Sequence, residues 1–129
     1  MTLTHISNQV KVTVQVRYAD DISDILKNEF TFVYIITLHN MSQRTIQVQK
    51  RHWKINDSMD KVRTVSGTGM NGVKAIISPN GTYEYEACVS LASEMGRMGG
   101  FFQMLDLSTE KTFPVLVPDF VLIHPAKVN

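Results

Sequence analysis

The sequence predicts an all-β fold, a sandwich of two antiparallel sheets of the fibronectin type III or immunoglobulin kind. Three observations predict it. Apolar and polar residues alternate strictly in several stretches, which gives a strand one buried face. Turn-forming residues punctuate those stretches at short intervals. The single tryptophan, Trp53, lies in one of them, and a buried tryptophan on an inner strand is a common centrepiece of such sandwiches. A small closed barrel is the alternative that the same pattern allows.

Each element follows from its residues. Val10, Val12, Val14, Val16 and Tyr18 alternate with Lys11, Thr13, Gln15 and Arg17, whereas a helix would space its apolar residues three and four apart. Phe30, Phe32, Tyr34, Ile36 and Leu38 repeat the alternation. Val33 and Ile35 on the opposite face mark a more central strand, which ends at His39-Asn40. The next strand runs from Thr45 through Ile55, and its apolar residues pass from even to odd positions between Val48 and Trp53. An extra residue flips every side chain after it, so a bulge or bend is expected there. Asn56-Asp57-Ser58 reads as a turn, followed by a short strand at Val62 to Val65 and a glycine-rich segment. After Ala75-Ile76-Ile77, Pro79-Asn80-Gly81 turns the chain into a strand with Tyr83, Tyr85 and Ala87 on one face. Ser90 to Gly99 reads as a loop of small residues and methionine, with strands at Gly100 to Asp106 and Lys111 to Ile123. Pro114 and Pro118 confine the last strand to a sheet edge or a bend, because proline gives no amide hydrogen to a ladder. Only Asp20 to Lys27, with Ile22, Ile25 and Leu26, carries a helical spacing, long enough for one or two turns.

A chain of 129 residues sits near the common size of one domain, so residues 1–129 are read as a single sandwich with one core. The hydrophobic fraction of 43% is ordinary for a globular protein and argues against disorder. Thirteen basic residues nearly balance twelve acidic ones. The excess lies before Ser66, nine basic against six acidic residues, with four against six after it. This is too slight for a nucleic-acid binder, which shows a strong basic stripe. The basic run Arg44, Lys50, Arg51, His52 and Lys54 would divide between the two faces of a strand. One cysteine excludes an internal disulfide, nothing at Met1 to Gln9 resembles a signal peptide, and no apolar run reaches the ~20 residues of a membrane span. The expectation is a cytoplasmic protein without cofactor.

Gly67-Thr68-Gly69-Met70-Asn71-Gly72 has the form G-x-G-x-x-G. Dinucleotide recognition needs a strand before and a helix after such a segment, and Pro79 stops the chain too soon for that helix. Two readings remain: Gly67, Gly69 and Gly72 shape a loop through positive φ, or their amides form a phosphate-binding nest. The four histidines share no ligand spacing. Asp20, Asp21 and Asp24 are read as a solvated loop or helix start in preference to a weak divalent-cation site, and no metal site is expected. Cys88 has no local histidine and reads as a buried or half-buried free thiol. No nucleophile elbow and no close carboxylate pair is present, so no enzyme is expected. Met95, Met98 and Met104, with Phe101 and Phe102, read as core, or as an adaptable recognition surface.

The chain resembles the ApaG family. The resemblance rests on Arg51-His52-Trp53-Lys54-Ile55 with Asp57, Val65-Ser66-Gly67-Thr68-Gly69 with Gly72, and Pro79-Asn80-Gly81 with Tyr83-Glu84-Tyr85. Leu91, Gly96-Arg97-Met98-Gly99-Gly100, Gln103-Met104 and Pro118-Asp119-Phe120 continue it, in order, from about Val12 to Leu122. Two departures stand out. Met70-Asn71 replaces the family's small aliphatic residues, and Ala87-Cys88-Val89-Ser90 replaces its glycine-cysteine-proline run. The resemblance implies a fibronectin type III-like sandwich. It further implies an association, by name and gene neighbourhood, with diadenosine tetraphosphate hydrolysis and with cobalt and magnesium resistance or efflux. Related domains in larger eukaryotic proteins, some F-box proteins among them, look like protein-interaction modules.

The functional expectation is therefore a non-enzymatic binding domain with a protein partner, a second copy of the chain included. Its contact surface would be a sheet edge or the segment carrying Met95, Arg97 and Met98. The alternative is a small-ligand protein holding a nucleotide or dinucleoside polyphosphate at Gly67, Gly69 and Gly72, with Arg51, Lys54 or Lys74 supplying charge.

Overall fold

The structure, a computed structural model, describes residues 1–57 and 61–127. Within them nine strands form two antiparallel sheets: β1 (Thr2–Ser7), β2 (Val10–Tyr18), β3 (Phe30–Asn40), β4 (Ile46–Asp57), β5 (Lys61–Thr68), β6 (Ile76–Ile77), β7 (Thr82–Leu91), β8 (Met95–Asp106) and β9 (Thr112–Ile123). One sheet has the order β1-β2-β3-β7. The other has the order β5-β4-β8-β9, and β6 also pairs with β4. This is the two-sheet sandwich expected from the alternation. The expected turn at Asn56-Asp57-Ser58 lies partly outside the described residues, because Ser58 does; β4 runs through Asp57.

The alternating residues fill the interior. Val10, Val12 and Val14 from β2, and Ile36 and Leu38 from β3, are fully buried against Phe102, Val115 and Leu122 of the facing sheet. Trp53 is buried among aromatic edges, with Phe102 at 5.6 Å and Tyr34 at 5.7 Å between ring centroids. Edge-to-face pairs of this kind stabilise a core beyond the area they bury.

Several elements differ from their sequence expectations. Within Met1 to Gln9, Thr2–Ser7 forms an edge strand, β1, turned into β2 by Asn8 and Gln9, which both take positive φ (49° and 63°) as a two-residue hairpin turn requires. The helical spacing at Asp20 to Lys27 yields a single 3-10 turn, Ile25–Lys27. Ser23 Oγ accepts the Thr31 amide and Asp24 pairs with Glu29, so local turn bonds take the backbone groups that a helix would need. Ile22, Ile25 and Leu26 are left exposed. Ser90 to Gly99 is not a loop: β7 continues to Leu91 and β8 begins at Met95. Asp57 holds the tight connection by accepting the Ala92 amide at 2.7 Å and the Ser93 hydroxyl.

β9 is an edge strand, as its prolines require, and it bulges where Pro118 and Asp119 face Gly99. It lies beside β1, the edge of the other sheet. Asn8 Nδ2 donates to Pro114 O at 2.6 Å, and the Leu116 amide donates to Ser7 Oγ at 2.9 Å. This side of the sandwich is closed.

Asn40, at the end of β3, ties three connections together. Its Nδ2 donates to Arg44 O (2.7 Å) and Ile77 O (3.1 Å), with Ser78 O at 3.2 Å, while Oδ1 accepts the Ser42 amide and hydroxyl. Asn40→Ala should cost about 2–4 kcal/mol, because it leaves buried carbonyls unpaired. Asn40→Asp should be no milder, since it turns a carboxylate toward those oxygens. Urea midpoints at unchanged slope would measure both.

Asp106 organises the β8–β9 turn. Its carboxyl is held below the usual value of 3.8 first by the Ser108 hydroxyl, then by the Ser108 and Thr109 amides and by Arg44. A lowered native pKa means that this stabilisation is complete above the ordinary aspartate value and fades as pH falls through the lower native one. Unfolding free energy measured from about pH 5 to pH 2 should therefore fall less steeply for Asp106→Asn than for the parent chain.

Candidate functional site

The glycine segment is built around an irregularity in β4. Gln49 has no partner on β8; this is the bulge expected from the change of parity. β5 pairs with β4 only as far as Lys50↔Thr68, and pairing resumes with β6 on Ile46 and Gln47. Residues 69–75 bridge the interval. The Gly69 amide donates to Gln49 O at 2.8 Å, and the Val48 amide donates to Ala75 O at 2.9 Å. Met70 is buried beneath the loop. Asn71 and Gly72, both at positive φ (53° and 85°), make a two-residue turn that brings Met70 opposite Val73. The Asn-Gly dipeptide is the signal for such a turn in the sequence.

This arrangement decides what the glycines offer chemically. The amides of Gly69, Met70, Gly72 and Val73 donate to Gln49, Val73, Thr68 and Met70 carbonyls at 2.8–3.1 Å. An anion nest needs amides that converge on a common point in solvent, and these four are committed within the fold. The segment after the loop is strand β6, so the helix of a dinucleotide site is not built. Gly67 lies within β5 opposite Arg51, whose guanidinium covers it, 2.7 Å from where a Cβ would stand. Arg51 Nη1 donates to Thr68 O at 3.0 Å and Gly69 O at 3.3 Å. The loop therefore presents carbonyls, capped by an arginine.

β8 separates the second group of candidates by strand parity. Met95 and Arg97 are exposed on the outer face, whereas Met98 is buried at 1% exposure and packs in the core with Phe102 and Met104. A contact surface at this position contains Met95 and Arg97 but not Met98. Phe101, on the outer face, extends it. His52, Phe101 and Leu116 form one row across β4, β8 and β9, and Asn56, Arg97 and Val121 form another. The His52 ring stacks on Phe101 at 4.5 Å and its Nδ1 lies 2.9 Å from Ser66 Oγ. Met95, Gly96, Arg97 and Val121 line a shallow, mainly apolar hollow of about 240 Å³ with Asn56 and Asp57.

Cys88 is exposed rather than buried: it lies on the edge strand β7, out of step with the buried Tyr85 and Val89. Asp24 pairs with Lys27 at 3.9 Å in the solvated 19–29 loop. His124 packs against Tyr18 and Phe30, distant in sequence from the other histidines. Among the described residues no three His, Cys, Asp or Glu side chains converge as metal ligands, and no helix is long and apolar enough to cross a membrane.

The two loop glycines should respond differently to substitution. A Cβ on Gly69 would collide with Val73 O at φ +55°, whereas Gly72 opens to solvent. Gly69→Val should cost about 3 kcal/mol or more, and Gly72→Ala, strained only by its φ of +85°, about 1 kcal/mol. Chemical denaturation of both variants would test this order.

Comparison with known proteins places this geometry. Residues 20–106 match the family model described as the ApaG domain. The chain is 33% identical over 119 residues to Protein ApaG of Paramagnetospirillum magneticum, covering 92% of this chain and 91% of the other. It is 34% identical over 120 residues to Protein ApaG of Vibrio cholerae, covering 93% and 94%. An X-ray structure of a structural-genomics target superposes with a TM-score of 0.87 at 28% identity, covering 97% of this chain and 94% of that one. A Bordetella pertussis crystal structure carrying the name ApaA gives 0.85 at 29% identity, covering 90% and 94%. On sequence and fold together, the chain belongs to the ApaG family.

Proposed function

We propose that this domain is a non-enzymatic protein-binding module, and that its contact surface is the outer face of the β5-β4-β8-β9 sheet. One observation carries the reading. Met95, Phe101, Leu116 and Val121 are 37–47% exposed, and the pairing of β8 with β9 sets them on one face. Isolated exposed apolar residues are ordinary, but a group of them on one sheet face marks an interaction surface. Lys50, His52, Lys54 and Arg97 flank the group on the same face. The favoured partner therefore offers apolar anchors with carboxylates around them, since complementary charge steers encounter and fixes register.

The glycine loop supports this reading indirectly. With four of its amides committed to carbonyls, it serves as a rigid part of the scaffold, and a nucleotide held by Gly67, Gly69 and Gly72 is the less favoured alternative. A link to diadenosine tetraphosphate metabolism, or to cobalt and magnesium resistance, would on this reading run through the partner.

The paired substitutions Met95→Ser and Phe101→Ser should leave the melting temperature close to that of the parent and weaken partner capture by about tenfold, as loss of two buried anchors implies. Size exclusion would reveal whether the captured species is a second copy of the chain. Capture unchanged in the double variant would overturn the proposed face. Met98→Ser should instead lower the melting temperature, because Met98 is core.

A further inference from the structure

The side of the sandwich opposite β1 and β9 is open. Its edges are β5 and β7. Among the described residues two side chains reach across to β7: Arg63 Nη2 of β5 donates to Ser90 O at 2.7 Å, and Asn71 Nδ2 of the following loop to Glu86 O at 3.4 Å. Between these edges lies a cleft of about 490 Å³. Trp53, Tyr34 and Met98 form its depth and Arg51 and Arg63 its rim, and among the described residues no carboxylate and no histidine lines it.

Strand register explains the two arginines. Arg51↔Gly67, Trp53↔Val65 and Ile55↔Arg63 are successive same-face pairs between β4 and β5. Both guanidiniums therefore share the inward face with Trp53. Among the described residues each is engaged by one nitrogen, Arg51 on Thr68 O and Gly69 O, Arg63 on Ser90 O. A guanidinium carries five N–H donors, so most have no acceptor among these residues. The ion pairs among the described residues are Lys27–Asp24 and Arg44–Asp106, and neither cleft arginine has a carboxylate partner. A cleft lined by one sign of charge between low-dielectric walls concentrates the opposite ion.

A second, independent feature lies beneath the rim. Trp53 is 4% exposed, and its indole N–H has no hydrogen-bond acceptor of good geometry. The Tyr85 hydroxyl is unsatisfied too, although it stands near the Tyr34 hydroxyl and the Trp53 indole. Burial raises the pKa of both phenols, with Arg51 opposing, so both stay neutral at physiological pH. Buried donors without acceptors are rare in folded proteins, because each forfeits its bonds to water. Here Trp53 itself lines a cleft that carries Arg51 and Arg63.

We infer that this cleft binds a small organic oxyanion, a carboxylate or phosphate group on an apolar body. Arg51 and Arg63 hold the anionic head, Trp53 forms the floor beneath it, and Ile55, Val65 and Val89 pack the body. The volume lies within the roughly 300–1,000 Å³ of small-molecule sites. The site differs in place and donor set from a phosphate nest on the glycine amides, and it is independent of the outer-face contact surface.

The chain carries its own reporters. Trp53 is the only tryptophan and Cys88 the only cysteine, and both line the cleft. Phenyl phosphate and benzoate, at up to millimolar concentration, should each be tested for a saturable change in Trp53 fluorescence and for slowed alkylation of Cys88 by iodoacetamide. Benzyl alcohol is the neutral control. A response to at least one anion and none to the alcohol is expected, and the tighter anion identifies the head group. Arg63→Gln, which leaves the glycine loop intact, should weaken binding by about tenfold or more, whereas Met95→Ser with Phe101→Ser should not change it. No saturable response to either anion, an equal response to benzyl alcohol, or unchanged affinity in a folded Arg63→Gln would overturn the assignment.

Discussion

Strand β4 carries one residue more than its partner β8 can match, and the rest of the sheet is arranged around that excess. Before Gln49 the inward residues are Ile46 and Val48; after it they are Arg51, Trp53 and Ile55. A regular strand burying Ile46 and Val48 would bury Lys50, His52 and Lys54 as well and would expel Trp53. The bulge prevents this, but it exposes backbone groups that β5 cannot reach in regular pairing. Gly69 and Ala75 satisfy them, and Met70 fills the space beneath. The run Gly67-Thr68-Gly69-Met70-Asn71-Gly72 is thus the complement of the β4 bulge. Gly69 is required where a side chain would strike the Val73 carbonyl, and Asn71-Gly72 where the chain must reverse in two residues.

The same irregularity sorts the basic residues of β4 into two environments. Lys50, His52 and Lys54 face outward beside Phe101, where solvent screens them and a partner could meet them. Arg51 faces inward with Trp53, where water is scarce and its charge reaches the buried phenols of Tyr34 and Tyr85. One run of basic residues in the sequence therefore feeds two distinct surfaces: a broad outer face suited to a protein, and a narrow cleft suited to a small anion.

The sequence makes the sandwich legible wherever one face of a strand is buried. β2, β3 and the bulged β4 follow from parity alone, and the prolines of β9 place it at an edge. What parity does not reveal is pairing between polar edges. β1 has exposed side chains on both faces and is held by backbone bonds to β2, so no hydrophobic pattern announces it. The β7–β8 connection looks loop-like because Gly96, Gly99 and Gly100 occupy places where neighbouring atoms exclude a Cβ, His52 O against Gly100 and Asp119 against Gly99. Small residues there mark close packing. The spacing of Ile22, Ile25 and Leu26 misleads for the opposite reason: the segment has no adjacent surface to cover, and Ser23 and Asp24 favour turn bonds. At the candidate surfaces, sequence singles out Met95 and Arg97 but does not separate them from Met98 without the strand parity. Arg63 is invisible as a cleft residue, because only the register with Ile55 turns it inward.

Inward-facing charge on an edge strand has another physical role, protection against pairing with other chains. β5 is exposed along nearly its whole length and β7 leaves its outer edge unpaired, so a guard against edge-to-edge association is needed on this side. Lys61 and Arg63 on β5 provide it. That role does not account for Arg51, which belongs to the central strand β4 and has β5 and β8 on either side. Nor does it account for an indole N–H that, at 4% exposure, has only the Tyr85 hydroxyl nearby and no acceptor of good geometry. Edge protection needs charge at the margin and an apolar interior behind it; a binding cleft needs charge at the margin and unsatisfied donors behind it. The open side has the second arrangement, and the two roles coexist because the arginine that deters a foreign strand also presents its remaining donors to a small anion.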